Sequence, residues 1–154
     1  MIKVKFIVVI LSLLTFSCEK QKKFPYSSGL NEYLSIAYNE DLTRIEKETL
    51  VFLYLEYCKS CITDALNLLT NLEDNKLSVK LYLIGKEDFY PENLTLIQDL
   101  KNRFPYKTDP NTLHYSYATG INEPLVVGVE EGEIVDFIHI NKDTILLSTE
   151  MLSK

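Results

Sequence analysis

The chain has 154 residues and a formal net charge of −6, with 16 basic against 22 acidic side chains. This balance argues against a nucleic-acid-binding protein, which needs a basic face, and we interpret it as a solvated acidic surface. The length suits one compact core, and the sequence shows no internal repeat and no low-complexity tract.

The first 17 residues have the pattern of a secretory signal. Lys3 and Lys5 precede an apolar run over residues 6–16, which is too short to span a bilayer. Cys18 follows almost directly. This arrangement resembles a bacterial lipoprotein signal, in which the cysteine becomes the acylated first residue of the mature protein. The alternative is an ordinary cleaved signal with a cysteine there by chance.

The lipoprotein resemblance implies a membrane-anchored protein of the bacterial cell envelope that faces the periplasm, with the choice of inner or outer membrane left open. We predict a signal peptide over residues 1–17 and a lipidated tether over 18–29. The tether is polar and contains proline and glycine, so it has no core of its own. Residues 30–154 are predicted to form the folded domain.

Hydrophobic periodicity over the rest of the chain predicts the order β-α-β-α-β-β-α. The predicted strands cover residues 49–55, 77–84, 125–129 and 134–140, and the predicted helices cover 59–73, 91–103 and 143–151. A right-handed crossover makes the first two strands parallel, and a turn at 131–132 makes the last two a hairpin. The predicted fold class is therefore α/β, with a central mixed four-stranded sheet and helices on both faces. Residues 106–123 are predicted to be a long loop, and 30–47 either a helix or an added edge strand.

The motif Cys58-Lys59-Ser60-Cys61 stands where the first predicted strand gives way to the first predicted helix. Free backbone N–H groups and the helix dipole favour an anion at a helix N-terminus, so a cysteine there has a lowered pKa and more thiolate. Lys59 adds a positive charge nearby. Thiolate is the species that attacks a disulfide, and in an oxidising compartment the pair is expected to form a disulfide unless something reduces it.

This element order, with C-x-x-C at the first strand–helix junction, resembles the thioredoxin fold. Together with the lipoprotein signal, the chain looks like an envelope thiol–disulfide oxidoreductase of the TlpA/ResA type. The resemblance covers roughly 90 residues, 49–140. Glu123-Pro124 stands directly before the third predicted strand. In thioredoxin-like proteins a cis-proline occupies that place beside the cysteine pair, which implies a cis peptide bond before Pro124.

The resemblance also implies roles for individual residues. Cys58 is expected to be the exposed nucleophile that attacks a substrate disulfide, and Cys61 the resolving thiol that releases the mixed disulfide. The residues expected to contact the substrate lie on both sides of this pair: Tyr57, Lys59, Ser60, Glu123 and Pro124. The expected partners are cysteine-containing envelope proteins and a protein that donates or accepts electrons, with no cofactor, metal or nucleic acid.

The sequence also departs from the thioredoxin pattern. Phe52 stands six residues before Cys58, where thioredoxin has a buried acid that transfers protons. Glu56 could assist proton transfer instead, or could simply be solvated. The charge of Glu123 could raise the pKa of Cys58, and whether it does so is left open. The Lys-Ser pair between the cysteines leaves the direction, reductase or oxidase, undetermined.

A metal site is one alternative. Cys58 and Cys61 could bind zinc or copper together with His114 and His139, which are the ligand types these metals accept. His139 falls late in a predicted strand, and His114 falls in the predicted loop.

A non-catalytic lipoprotein that uses the thioredoxin fold as a binding or assembly module is the second alternative, because a fold alone does not define a function. The aromatic-rich loop over residues 105–117 could be its partner surface or could be core packing. This alternative predicts that the protein works without its two thiols.

Overall fold

The computed structural model describes residues 23–72 and 78–152. The predicted signal peptide and Cys18 lie outside these residues. No helix in the described ranges is long and apolar enough to cross a membrane. The elements of the described chain are, in order, α1 (Ser27–Tyr38), β1 (Lys47–Tyr54), α2 (Lys59–Thr70), β2 (Val79–Ile84), α3 (Leu94–Arg103), β3 (Tyr106–Asp109), β4 (Leu125–Glu130), β5 (Glu133–His139) and α4 (Ile145–Leu152).

One mixed sheet of five strands organises the described part of the chain, in the order β3-β2-β1-β4-β5. β1 pairs in parallel with β2, and β2 with β3, whereas β4 runs antiparallel to both β1 and β5. The α/β class, the parallel first pair and the closing hairpin are confirmed. The hairpin turn places Glu131 and Gly132 at positive φ, 51° and 82°.

The sheet has five strands where the sequence predicted four, because β3 lies in the segment predicted as loop. Three of the four residues of β3 are exposed and only Asp109 is buried. A short polar edge strand of this kind has no hydrophobic alternation by which a sequence could reveal it. A 3₁₀ turn, Leu113–Ser116, follows in the same segment.

The structure resolves the open alternative for residues 30–47 in favour of a helix. α1 buries Leu30, Tyr33 and Leu34, which recur at helical spacing. Asn39 adopts the left-handed conformation that ends the helix, with φ 55°. Phe24 is also buried in the core, six residues before the predicted start of the folded domain.

The two faces of the sheet carry separate cores. Val51 and Leu53 of β1 point toward α2, α3 and α4. Leu50 and Phe52 alternate with them and point toward α1. β1 is therefore buried on both faces, as its continuous apolar run predicts, and the helices on both faces are confirmed.

The candidate site lies at one edge of this sheet. Tyr54, the last residue of β1, pairs with Ile84, the last residue of β2. Phe52 pairs with Leu125, the first residue of β4. The connections β1–α2 (residues 55–58), β2–α3 (85–93) and β3–β4 (110–124) therefore emerge at the same edge.

Candidate active site

Cys58 and Cys61 form a disulfide at the N-terminus of α2, with their Cα atoms 5.2 Å apart. Cys58 is the N-cap residue, and its Sγ accepts a hydrogen bond from the backbone N–H of Cys61 at 3.4 Å. The Ser60 hydroxyl lies 3.3 Å from the same sulfur. The first turn of the helix therefore directs donor groups toward the sulfur of Cys58, the arrangement that stabilises a thiolate.

The two cysteines differ in access to solvent. Cys58 is exposed, whereas Cys61 is half-buried inside the first helical turn. The neighbouring Ile62 is fully buried and anchors this turn in the core. An incoming sulfur can therefore reach Cys58 more readily than Cys61.

Lys59 forms an ion pair with Glu92 of the β2–α3 connection. The contact raises the pKa of Lys59 and lowers the pKa of Glu92, mainly through their shared hydrogen bond. Both side chains are exposed, so solvent screens the pair. The positive charge predicted to assist Cys58 is therefore partly neutralised.

The β2–α3 connection is joined to the disulfide segment by further polar contacts. The hydroxyl of Tyr90 donates to the carbonyl of Tyr57 at 2.7 Å. The hydroxyl of Thr63 contacts Oδ1 of Asn93 at 3.1 Å. The sequence did not reveal these contacts, because their partners lie 33 and 30 residues apart along the chain.

Glu56 has a structural partner rather than a free carboxylate. Its Oε1 accepts the backbone N–H of Lys86 at 3.0 Å. Its side chain lies against Gly85, where an added Cβ would be 2.9 Å from Cγ of Glu56 and where φ is +93°. Glycine at 85 thus allows the end of β2 to approach Glu56 closely. Glu56 is half-buried, and its assistance in proton transfer stays a prediction.

Phe52 stands six residues before Cys58, the position predicted to lack the buried acid of thioredoxin. Its ring is fully buried and stacks on Tyr82, with centroids 4.7 Å apart.

The prediction of a cis-proline was wrong, because residues 23–72 and 78–152 contain no cis peptide bond. Pro124 is buried directly before β4, and its carbonyl accepts the N–H of Ile140 at 2.7 Å. The β4–β5 ladder thus continues through Pro124 in the trans form, which is the lower-energy isomer of an X-Pro bond by about 0.5–1 kcal/mol.

Glu123 contacts His139, with Oε1 3.4 Å from Nδ1. Burial lowers the pKa of His139, and the charge of Glu123 opposes this effect. The contact found for Glu123 is therefore with His139, and the effect of Glu123 on the pKa of Cys58 stays open.

His114 lies in the segment predicted as a loop, but its side chain is buried, 1% exposed. Its ring lies 4.1 Å from that of Tyr115 and 5.0 Å from that of Tyr54, between centroids. Neither ring nitrogen has a hydrogen-bond partner among the described residues. Burial lowers the pKa of His114, while Asp109 and Glu56 oppose this effect.

The metal alternative finds no support in the described ranges. They contain no group of three or more histidine, cysteine, aspartate or glutamate side chains that could hold an ion.

Four aromatic side chains from the three connections, together with one from the end of β1, form a row near the disulfide, which we call the aromatic ridge: Phe89, Tyr90, Tyr57, Tyr115 and, from β1, Tyr54. Tyr57 was predicted from its place next to Cys58. The other four were missed, although the aromatic-rich loop that contains Tyr115 was a usable indication.

Comparison with known proteins shows the fold. A thioredoxin-like protein in its oxidised form has 10% sequence identity and a TM-score of 0.50, over 71% of this chain and 80% of that chain. A candidate protein disulfide isomerase from Bacteroides thetaiotaomicron has 16% identity and a TM-score of 0.41, over 70% and 75%. A peroxiredoxin-like protein from Aquifex aeolicus has 11% identity and a TM-score of 0.38, over 70% and 72%.

No family model and no curated protein matches the sequence. The fold of this chain is thioredoxin-like. Its site is a C-x-x-C disulfide, which is consistent with thiol–disulfide exchange.

Proposed function

We propose that this protein is a membrane-anchored thiol–disulfide oxidoreductase of the TlpA/ResA type, which acts on cysteine-containing proteins of the bacterial envelope. The observation that carries the proposal is the exposed sulfur of Cys58, in a disulfide at the N-terminus of α2. A disulfide with a purely structural role would add little to the stability of the fold, because a loop closed over so few residues removes little entropy from the unfolded chain.

The chemistry follows from the unequal access to the two sulfurs. A substrate thiolate attacks Cys58, the bond between Cys58 and Cys61 breaks, and Cys61 leaves as the thiolate. A second substrate thiolate then attacks the substrate sulfur of the mixed disulfide and expels Cys58. Two electrons and two protons pass from the substrate dithiol to the protein, and the same steps in reverse reduce a substrate disulfide.

The backbone N–H of Cys61 supports this reaction at the moment when Cys58 becomes an anion. It already points at Sγ of Cys58 in the disulfide form. The same N–H and the helix dipole stabilise the Cys58 thiolate when it is expelled.

Substitution of each cysteine tests these roles. In a full-length chain with Cys18→Ser, held in detergent, the Cys61→Ser variant should accumulate a mixed disulfide with oxidised glutathione, because no resolving thiol remains. The Cys58→Ser variant is the matched control and should accumulate much less, because Cys61 is half-buried. Intact mass measures the adduct. Equal and slow labelling of both variants would contradict the oxidoreductase proposal and favour the non-catalytic binding module.

The anchor is a separate part of the proposal and rests on the sequence pattern ending at Cys18. In a bacterial host, the wild-type chain should fractionate with membranes, whereas Cys18→Ser should not receive a lipid. Labelling with a radioactive fatty acid measures this directly. Labelling that persists in Cys18→Ser would contradict the proposed attachment site.

A further inference from the structure

The aromatic ridge connects the three loops around the disulfide. At one end, Phe89 and Tyr90 have ring centroids 4.9 Å apart. Tyr90 donates its hydroxyl to the carbonyl of Tyr57 at 2.7 Å. From Tyr57 the row continues to Tyr54 at 6.4 Å and then to Tyr115 at 5.6 Å, between centroids. Tyr57 directly precedes Cys58 in the chain, so the middle of the ridge is next to the reactive cysteine.

Both ends of the ridge face solvent. Tyr115 is 64% exposed and Phe89 is 48% exposed, whereas Tyr54, Tyr57 and Tyr90 are half-buried. The hydroxyl of Tyr115 donates to the hydroxyl of Tyr54, which fixes the exposed ring against the half-buried one. Ordered and partly exposed aromatic rings supply much of the binding energy at recognition surfaces.

The surroundings of the ridge are acidic. Five carboxylates lie on the connections that border it: Glu56, Glu87, Asp88, Glu92 and Glu123. Glu87 is paired with Lys101 of α3. The register places Glu123 here, since Leu125 pairs with Phe52 and the strands run antiparallel. The lysines on the same segments are Lys59 and Lys86, and Lys59 is engaged by Glu92. A field of this sign, beside open aromatic faces, favours a cation.

We infer that the aromatic ridge is a docking surface that selects polypeptide segments with a lysine or arginine near the reacting cysteine. This inference rests on the proposed function and names its preferred substrate. The substrate cysteine meets Cys58, and the cationic side chain lies over the ring of Tyr54 or Tyr115. The centroid distances place Tyr115 no more than about 12 Å beyond Tyr57, so an extended chain reaches it with about four residues.

Three matched peptides test the inference. Each has two reduced cysteines and differs at one position about four residues away, which is lysine, glutamine or glutamate. The full-length chain with Cys18→Ser is oxidised, and the second-order rate at which each peptide reduces its disulfide is measured. Every rate is divided by the rate of the same variant with dithiothreitol, which isolates recognition from sulfur chemistry. The lysine peptide should react about tenfold faster than the glutamate peptide at low salt, and the ratio should shrink as salt is added.

Variants of the ridge make the test specific. Tyr115→Ala should reduce the preference for lysine over glutamine by about threefold, whereas Tyr115→Phe, which keeps the ring, should retain most of it. Phe89→Ala provides a second variant, at the other end of the ridge. Tyr106→Ala is the matched control, because Tyr106 is a 42% exposed tyrosine near the opposite end of the sheet.

The failures of the inference and of the proposed function are distinguishable. A disulfide that dithiothreitol cannot reduce and that does not form again on oxidation overturns both. Normal exchange with equal rates for the three peptides, or equal effects of Tyr115→Ala and Tyr106→Ala, overturns the docking surface alone. A dimer that dissociates in Tyr115→Ala would show that a second copy covers the ridge, and would also overturn it.

Discussion

The two faces of the sheet are stabilised in different ways. The face toward α2, α3 and α4 is lined mainly by aliphatic side chains, among them Leu53, Leu66 and Leu100, all fully buried. The face toward α1 contains buried tyrosines with polar partners. Tyr33 donates to Oδ2 of Asp109 at 3.0 Å, and Tyr82 donates to Oε2 of Glu40 at 2.5 Å.

The two cores therefore restrict their side chains by different physical requirements. Aliphatic residues are constrained by volume and tolerate neighbours of similar size. Buried hydroxyls and carboxylates each require a partner, and removal of one partner leaves the other unsatisfied. Burial raises the pKa of Tyr33 and Tyr82 above the usual tyrosine value, so both hydroxyls remain donors even in alkaline solution. The disulfide lies at the edge that joins the two faces.

The largest expected effect comes from truncation on the aliphatic face. Leu66→Ala should destabilise the protein by about 2–5 kcal/mol, because it removes buried surface and leaves a cavity. Leu146→Ala is the control, since Leu146 is 83% exposed, and should change the free energy of unfolding by less than about 0.5 kcal/mol. Urea denaturation measures both. Similar costs would show that α2 is not anchored as the structure indicates.

Removal of one hydroxyl tests the polar face. Tyr33→Phe should cost about 1–3 kcal/mol, because it takes a donor from the buried carboxylate of Asp109. Tyr106→Phe makes the same chemical change at an exposed tyrosine and should cost less than about 0.5 kcal/mol. Denaturation midpoints compare the two variants, and equal midpoints would mean that the buried hydroxyl is dispensable.

The polar face should also make stability depend on pH. Burial lowers the pKa of His114 in the folded state, so the unfolded chain binds this proton more readily. The stability contributed by neutral His114 is fully present above the unfolded pKa of about 6.5 and is lost as the pH falls toward the lowered folded pKa, by at most about 1.4 kcal/mol per pH unit.

His114→Phe should flatten this dependence, since the ring remains and the titration is lost. His139, whose pKa burial also lowers, and Glu48, whose pKa burial raises, contribute to the slope that remains. Urea midpoints at pH 7.5, 6.5 and 5.5 measure the effect. An unchanged slope in His114→Phe would assign the pH dependence to other groups.

The smallest expected effect is a change in the reactivity of Cys58, at the edge of the sheet where the two faces meet. Glu92→Gln releases Lys59 from its ion pair and leaves its positive charge free to favour the thiolate of Cys58 in the reduced protein. Alkylation of Cys58 at pH 7 should become roughly twofold faster at low salt, and the gain should vanish in high salt. A slower or salt-independent reaction would show that Lys59 does not act on the sulfur.

The sequence predicted the aliphatic face better than the polar one. The apolar run of β1 and the helical spacing of Ile62, Leu66 and Leu69 identify a strand and a helix because burial follows their periodicity. β3 has almost no buried side chain. In α1 the helical spacing of Leu30, Tyr33 and Leu34 is recognised only once their burial is known.

The candidate site was also predicted in part. The position of C-x-x-C at a helix N-terminus is a local property and could be predicted. The contact of Tyr90 with Tyr57 and the burial of His114 depend on segments far apart in the chain. These features arise from the packing of those segments against each other, and no local sequence pattern predicts that packing.

The redox equilibrium of the two thiols tests the central claim most directly. The full-length chain with Cys18→Ser is equilibrated with glutathione buffers, its thiols are trapped, and the pKa of Cys58 is obtained from its alkylation rate. We predict a reversible two-electron transition and a Cys58 pKa below the value of about 8.5 for a free cysteine. Thiols that remain unreactive, or that fail to pair again on oxidation, would contradict the assignment of this protein as an oxidoreductase.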